Sequence, residues 1–236
     1  MTMDALIDLG RGSLFRFAVV LAVLGLLRHV VMTVAGLARA RARAGDKSFK
    51  VGQVLCGTLA RLSPLRYLVG SRRLYTLVSL AFHLGLILVP IFYLGHIRLW
   101  GRGLGLSWPA LPGAIADALT LVTLGAAALL VAGRAAARTS RATSRLQDWT
   151  LPSLIALEFL SGFMLAHPAR NPVGLDATML VHVWVGDLLL VVTPFTKIAH
   201  CVLLPLSQLV VEMAWRLVPR AGHEVTKSIG KEGQPL

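Results

Sequence analysis

Seven histidines occur in the chain (His29, His83, His96, His167, His182, His200 and His223), and four of them bracket apolar runs. His182 and His200 lie at either side of HVWVGDLLLVVTPFTKIAHC, residues 182–201, and His83 and His96 stand near the ends of FHLGLILVPIFYLGH, residues 82–96. An imidazole in such a run needs an answer for its ring nitrogens. Neutral imidazole can hydrogen-bond through one nitrogen while the other holds a metal. Ionisable side chains inside a membrane are read first as functional. Cys56 and Cys201 are the only cysteines. They are too few to hold an iron–sulfur cluster and would need further ligands for structural zinc, so both read as small apolar residues.

The elements that position these histidines are membrane helices. The chain has 236 residues, 56% of them hydrophobic, and a mean hydropathy of +0.70. Crossing the hydrocarbon core takes roughly 20 apolar residues in a helix, and helices or closed barrels alone satisfy the backbone there. The continuous Leu-, Val- and Ala-rich runs predict an all-α polytopic membrane protein with five transmembrane helices. The spans are about 14–37, 74–97, 113–131, 149–166 and 179–204, in a single domain over residues 1–236. The first run follows Asp4 and Asp8 and is too long for a signal peptide, so it is expected to be retained.

The net charge of +13 comes from 24 Lys+Arg against 11 Asp+Glu. The basic residues gather between spans, where they set topology, so no nucleic-acid partner is expected. Arg39, Arg41, Arg43, Lys47, Lys50, Arg61, Arg66, Arg72 and Arg73 follow span one. Arg134, Arg138, Arg141 and Arg145 follow span three, and Arg216, Arg220, Lys227 and Lys231 fill the tail. The other two connections hold only Arg98, Arg102 and Arg170. The positive-inside rule then places the N-terminus outside and the C-terminus in the cytoplasm. The long connection 38–73 reads equally as an amphipathic helix on the inner surface or as a solvated loop. There is no internal repeat and no soluble catalytic domain.

On one regular helix, the 18 residues from His182 to His200 make five turns, putting both on one face about 27 Å apart. Each then needs its own partner from another helix. With span two running outward and span five inward, antiparallel packing pairs His83 with His200 near the cytoplasm and His96 with His182 near the outside. Two bis-histidine sites at different depths suit two stacked haems, for which helical bundles supply ligands from facing helices. His83 and His96 are 13 residues apart, about 140° out of phase on a regular helix. Pro90 between them can kink or unwind the helix and alter that phase. His29, in LLRHVV, is the spare inner ligand, a propionate or structural contact, or a third haem ligand. His167, before Pro168, and His223, in the tail, need no ligand.

These residues resemble the cytochrome b (gamma) subunit family of respiratory nitrate reductase. That superfamily includes membrane subunits of sulfite-reduction-associated and heterodisulfide-reductase-like complexes. TPFTKIAHCVLLP, residues 193–205, is similar to the family's PF-[ST]-K/R-x-x-H element, followed by a proline five residues on. The resemblance implies His200 as ligand of the cytoplasmic-side haem and His182 as the outer ligand. FHLGLILVPIFYLGH is similar to its His–Gly … Gly–His pattern, which implies His83 and His96. The gap between those two is longer than in the nitrate reductase branch, leaving the branch and the terminal acceptor open.

The resemblance further implies two haem b groups and a subunit that oxidises quinol, menaquinol or ubiquinol, in a bacterial or archaeal cytoplasmic membrane. Electrons would pass through the outer and then the inner haem to a cytoplasmic iron–sulfur subunit, with terminal catalysis in another chain. Tyr93 and Arg98 are candidate quinol contacts, and Arg98 equally reads as an interfacial anchor. Lys197 and Arg28 read either as propionate partners or as lysine and arginine reaching the interface. Asp187 and Glu158, buried carboxylates, either carry protons from quinol or pair within the bundle. A haem-free membrane anchor for a peripheral complex and a small transporter are the rival readings. Pro90 and Pro194 keep the latter open.

Overall fold

A computed structural model describes residues 2–44, 51–64, 68, 73–217 and 221–231, with backbone alone at 215–217 and 221–223. Lys47, Lys50, Arg66, Arg72 and Arg220 lie outside the described residues, as do the side chains of Arg216 and His223. Helix accounts for nearly all of the described residues, and no strand occurs among them. Helix α1 (Met3–Leu9) passes through a π turn, Gly10–Leu14, into α2 (Phe15–Arg43). Then come α3 (Val51–Leu62), α4 (Arg73–Phe92), α5 (Leu94–Leu104), α6 (Gly113–Ala136) and α7 (Arg138–Thr143). The chain continues through α8 (Leu146–Ala166), α9 (Leu175–Val192), α10 (His200–Leu217) and α11 (Ala221–Ser228). Six helical stretches among the described residues are long and apolar enough to cross a membrane: Met3–Arg43, Arg73–Phe92, Gly113–Ala136, Leu146–Ala166, Leu175–Phe195 and Lys197–Ala214. They fit a multi-pass membrane protein.

The chain divides into two units, one of Met1–Ala22 with Pro64–Thr196 and one of Val23–Ser63 with Lys197–Leu236. In the first, α4 packs along α6, α6 against α8, α8 against α9, and α1 with the π turn against α9. Phe82, Val89, Ala126, Ala127, Ile155 and Phe159 form its core, with Tyr93 and Leu189 packed on it. Small residues bring the backbones close, as expected where lipid supplies no hydrophobic drive between helices. A Cβ on Gly85 would collide with the Thr123 side chain and meet Leu119 O at 3.0 Å. Buried hydroxyls are answered within their own helices: Thr120 Oγ1 donates to Ala116 O at 2.8 Å and Thr123 Oγ1 to Leu119 O at 2.7 Å. Arg134 and Asp148 close the α6–α8 connection at 3.2 Å.

Two expected spans are broken. Span two ends as a helix at Phe92. Tyr93 is extended (φ −73°, ψ 131°) and caps α5. The carbonyls exposed by this break find donors from the returning segment, Trp108 Nε1 to Ile91 O at 2.8 Å and Leu111 N to Phe92 O at 2.9 Å. The phase difference between His83 and His96 therefore does not apply across the break. Span five, expected as one helix over 179–204, stops at Val192. Two 3₁₀ turns, Thr193–Phe195 and Lys197–Ala199, flank extended Thr196 before α10 starts at His200. Pro194 brings no N–H, so the α ladder cannot run through it. His182 and His200 consequently do not share a face of one continuous helix, contrary to the expectation from their 18-residue spacing.

In the second unit, α3 packs on α10. The long connection thus contains a helix, with Val54 and Thr58 buried and Val51, Leu55 and Leu59 exposed. Arg61 Nε meets Glu212 Oε1 at 2.6 Å, and the Glu212 carboxylate lies against Gly57, where a Cβ would stand 2.6 Å from it.

The close α4–α6 contact gives a paired prediction. Gly85→Ala should lower unfolding stability in detergent by about 1–3 kcal/mol through overpacking. Gly125→Ala, in α6 with nothing within 4 Å of the added carbon, should gain roughly 0.5–1 kcal/mol from the reduced backbone entropy. Equal shifts in the two variants would contradict the packing described.

Candidate functional site

The site is built in the first unit from α5, α8 and α9. The break at Tyr93 lets α5 start a new helix, and His96 lies in its first turn. His96 Nδ1 points to Val89 O at 3.4 Å, near the end of α4. The Tyr93 ring covers Gly95, where a Cβ would stand 2.8 Å from Tyr93 Cε1, and meets the His96 ring edge-on with centroids 5.4 Å apart.

His182, on α9, faces His96. Their ring centroids are 5.9 Å apart with planes inclined by 10°. The Nδ1 edge of His182 turns to α8, where Glu158 O and Ser161 Oγ each lie 3.1 Å away and Glu158 Oε1 lies 3.2 Å away. The Val89 contact of His96 and the α8 contacts of His182 all fall at Nδ1. The ring lies against the backbone of Gly162, where a Cβ would come 3.0 Å from His182 Cε1. Glu158, Ser161 and Gly162 stand at i, i+3 and i+4, so one face of α8 supplies the whole cradle.

This arrangement can be tested against the expected cofactor. Metal–imidazole bonds of about 2.0–2.1 Å, the length found for zinc, place the centroids of two imidazoles on one metal ion roughly 6 Å apart. The observed separation matches. The Nδ1 atoms are held by carbonyl, hydroxyl and carboxylate acceptors, as the outer partners of metal-bound histidine usually are. Among the described residues, no group of three or more His, Cys, Asp or Glu is gathered for a bare ion. Two imidazoles would suffice for an iron carried by a porphyrin, and His96 and His182 are the residues that would hold it.

The remaining candidates fall in other settings. His83, on α4, has Nδ1 2.6 Å from Ser79 O and 3.5 Å from Ser79 Oγ. His200 belongs to the second unit, with Nδ1 2.6 Å from Lys197 O. His29, on α2, also lies in the second unit. Lys197 and Arg98 are exposed. Asp187 is buried at 4% exposure, and its Oδ2 has no hydrogen-bond partner among the described residues; nor has Glu158 Oε2. His167 is tied off, with Nδ1 3.0 Å from Phe163 O and Nε2 3.4 Å from Asp117 Oδ2. Sequence reasoning missed Ser161 and Gly162 and gave Glu158 no link to His182. The available signal was the spacing within EFLSG, residues 158–162.

Gly162→Val should drive side-chain carbons into the space of the His182 ring, lowering unfolding stability by about 1–3 kcal/mol. The double variant Gly162→Val with His182→Ala should recover much of that loss, because the ring that clashes is gone. Additive losses would show that the ring does not lie on Gly162.

No protein-family model matches the chain, and no solved structure matches it. A protein of Nitratidesulfovibrio vulgaris, named simply "Protein", is 36% identical over 135 residues, which is 57% of this chain and 58% of that one. The chain thus spans less than two thirds of that relative's length.

Proposed function

We propose that the chain is a membrane diheme cytochrome b subunit of a respiratory complex, oxidising quinol and delivering electrons to a cytoplasmic iron–sulfur partner. The observation that carries this reading is the facing pair His96 and His182, with Nδ1 edges held by acceptors. Haem supplies a one-electron carrier when bound there. His96 and His182 would hold that group, with their Nδ1 edges turned to Val89 O and to Glu158 and Ser161. The assignment of His83 and His200 to a second, inner haem rests on the resemblance of FHLGLILVPIFYLGH and TPFTKIAHCVLLP to the nitrate reductase gamma-subunit family.

The same reading orients the chain in a bacterial or archaeal cytoplasmic membrane. It makes the five crossings expected from the sequence, with the N-terminus outside and the C-terminus in the cytoplasm. The arginine-rich connections support this orientation and give the inner face a charge suited to an acidic partner. Tyr93, edge-on to His96, is the favoured quinol contact of the residues named from sequence. Menaquinol and ubiquinol both fit that chemistry.

Purified protein should show a reduced-minus-oxidised spectrum of b-type haem, with about two haems per chain, the number the two ligand pairs require. His96→Ala and His182→Ala should each lose the same haem, and His200→Ala the other. A colourless preparation from haem-replete cells would refute the reading and leave a haem-free anchor or a transporter in its place.

A further inference from the structure

Glu158 is placed in a way that a lipid-facing or merely space-filling carboxylate would not be. Its side chain is 19% exposed and that of His182 is 16% exposed, and Oε1 sits 3.2 Å from His182 Nδ1. The carboxylate occupies the space beside Gly186, where a Cβ would stand 3.0 Å from Oε1. Gly186 follows His182 by one turn on α9, so one helix carries both the ring and the gap that admits its acceptor. The other oxygen, Oε2, is buried without a hydrogen-bond partner among the described residues. Burying an unsatisfied carboxylate oxygen among apolar helices is costly. Stability alone does not explain keeping it there.

We propose that Glu158 is a positioning residue for the outer haem: through its side-chain contact with His182 Nδ1 it sets the haem's reduction potential. This rests on the diheme reading above. The physical argument is that of carboxylate–histidine–metal triads, in which the outer carboxylate orients the ring and makes it a stronger donor. A stronger imidazole donor favours the more positive, oxidised iron, so the contact lowers the potential. Ser161 Oγ and Glu158 O crowd the same nitrogen at 3.1 Å. The ring therefore keeps an orientation when the carboxylate is altered, and Glu158 acts chiefly on potential. Gly186 and Gly162 are the supports of this arrangement.

The test is a redox titration of each haem in the whole purified protein, wild type against Glu158→Gln, Glu158→Leu and Gly186→Ala, with haem counted per chain. In Glu158→Gln, with both haems retained, the outer haem should favour its reduced form at least tenfold more than in wild type. That is a rise of about 59 mV for a one-electron couple. Glu158→Leu should move it further in the same direction or lose that haem alone. Gly186→Ala, which displaces the carboxylate without removing it, should give a smaller rise. The inner haem, unchanged in the same samples, reports that the protein is folded. If Glu158→Gln keeps both haems at wild-type potentials, the inference is overturned and the diheme reading stands. A wild-type protein without haem overturns both.

Discussion

An imidazole has two nitrogens, and inside an apolar bundle each must be answered without water. That requirement organises the first unit of this protein. The His182 nitrogen facing α8 has a crowd of acceptors, Glu158 O, Ser161 Oγ and Glu158 Oε1. The neighbouring ring is another histidine, whose contact with Val89 also falls at Nδ1. Two imidazoles cannot satisfy one another's Nε2 as acceptors. When Nδ1 carries the proton, both Nε2 atoms present lone pairs. A metal held between them, as proposed above, would use both lone pairs.

The rest of the unit arranges for that meeting. An unbroken α4 would carry His96 onward in a fixed phase relative to His83. The interruption at Tyr93 frees that phase, and it is affordable only because Trp108 and Leu111 return to donate to Ile91 O and Phe92 O. Glycine does the complementary work on the other side. Gly162 lets the His182 ring lie on the α8 backbone, and Gly186 leaves the room that Glu158 fills. The α4–α6 contact at Gly85 and Thr123 holds the core against which these pieces are set.

How much of this was legible in the sequence differs from element to element. Long apolar runs fix membrane helices because the bilayer allows few alternatives, and the all-helical expectation is met. The meeting of His96 and His182 was expected from depth alone, and the structure places the two rings together. Pro90 announced trouble in span two, although the break falls three residues later at Tyr93, where donors from the returning segment are within reach. Pro194 gave the same kind of warning in span five, where it kept a transporter reading open, but the shared-face spacing took the helix as regular. The shared-face argument for His182 and His200 failed there. The contact of Glu158 with His182 was not legible, because it depends on how α8 is rotated against α9. The spacing of Glu158, Ser161 and Gly162 on one face was its one trace.

One haem held by His96 and His182 is what the proposed function stands on. An experimental density map of the protein purified with its bound cofactors, at a resolution that separates side chains, tests this most directly. Macrocycle density in contact with both His96 and His182 is the expected result. Two imidazoles with only protein or water between them, or a macrocycle held by other residues, would contradict it.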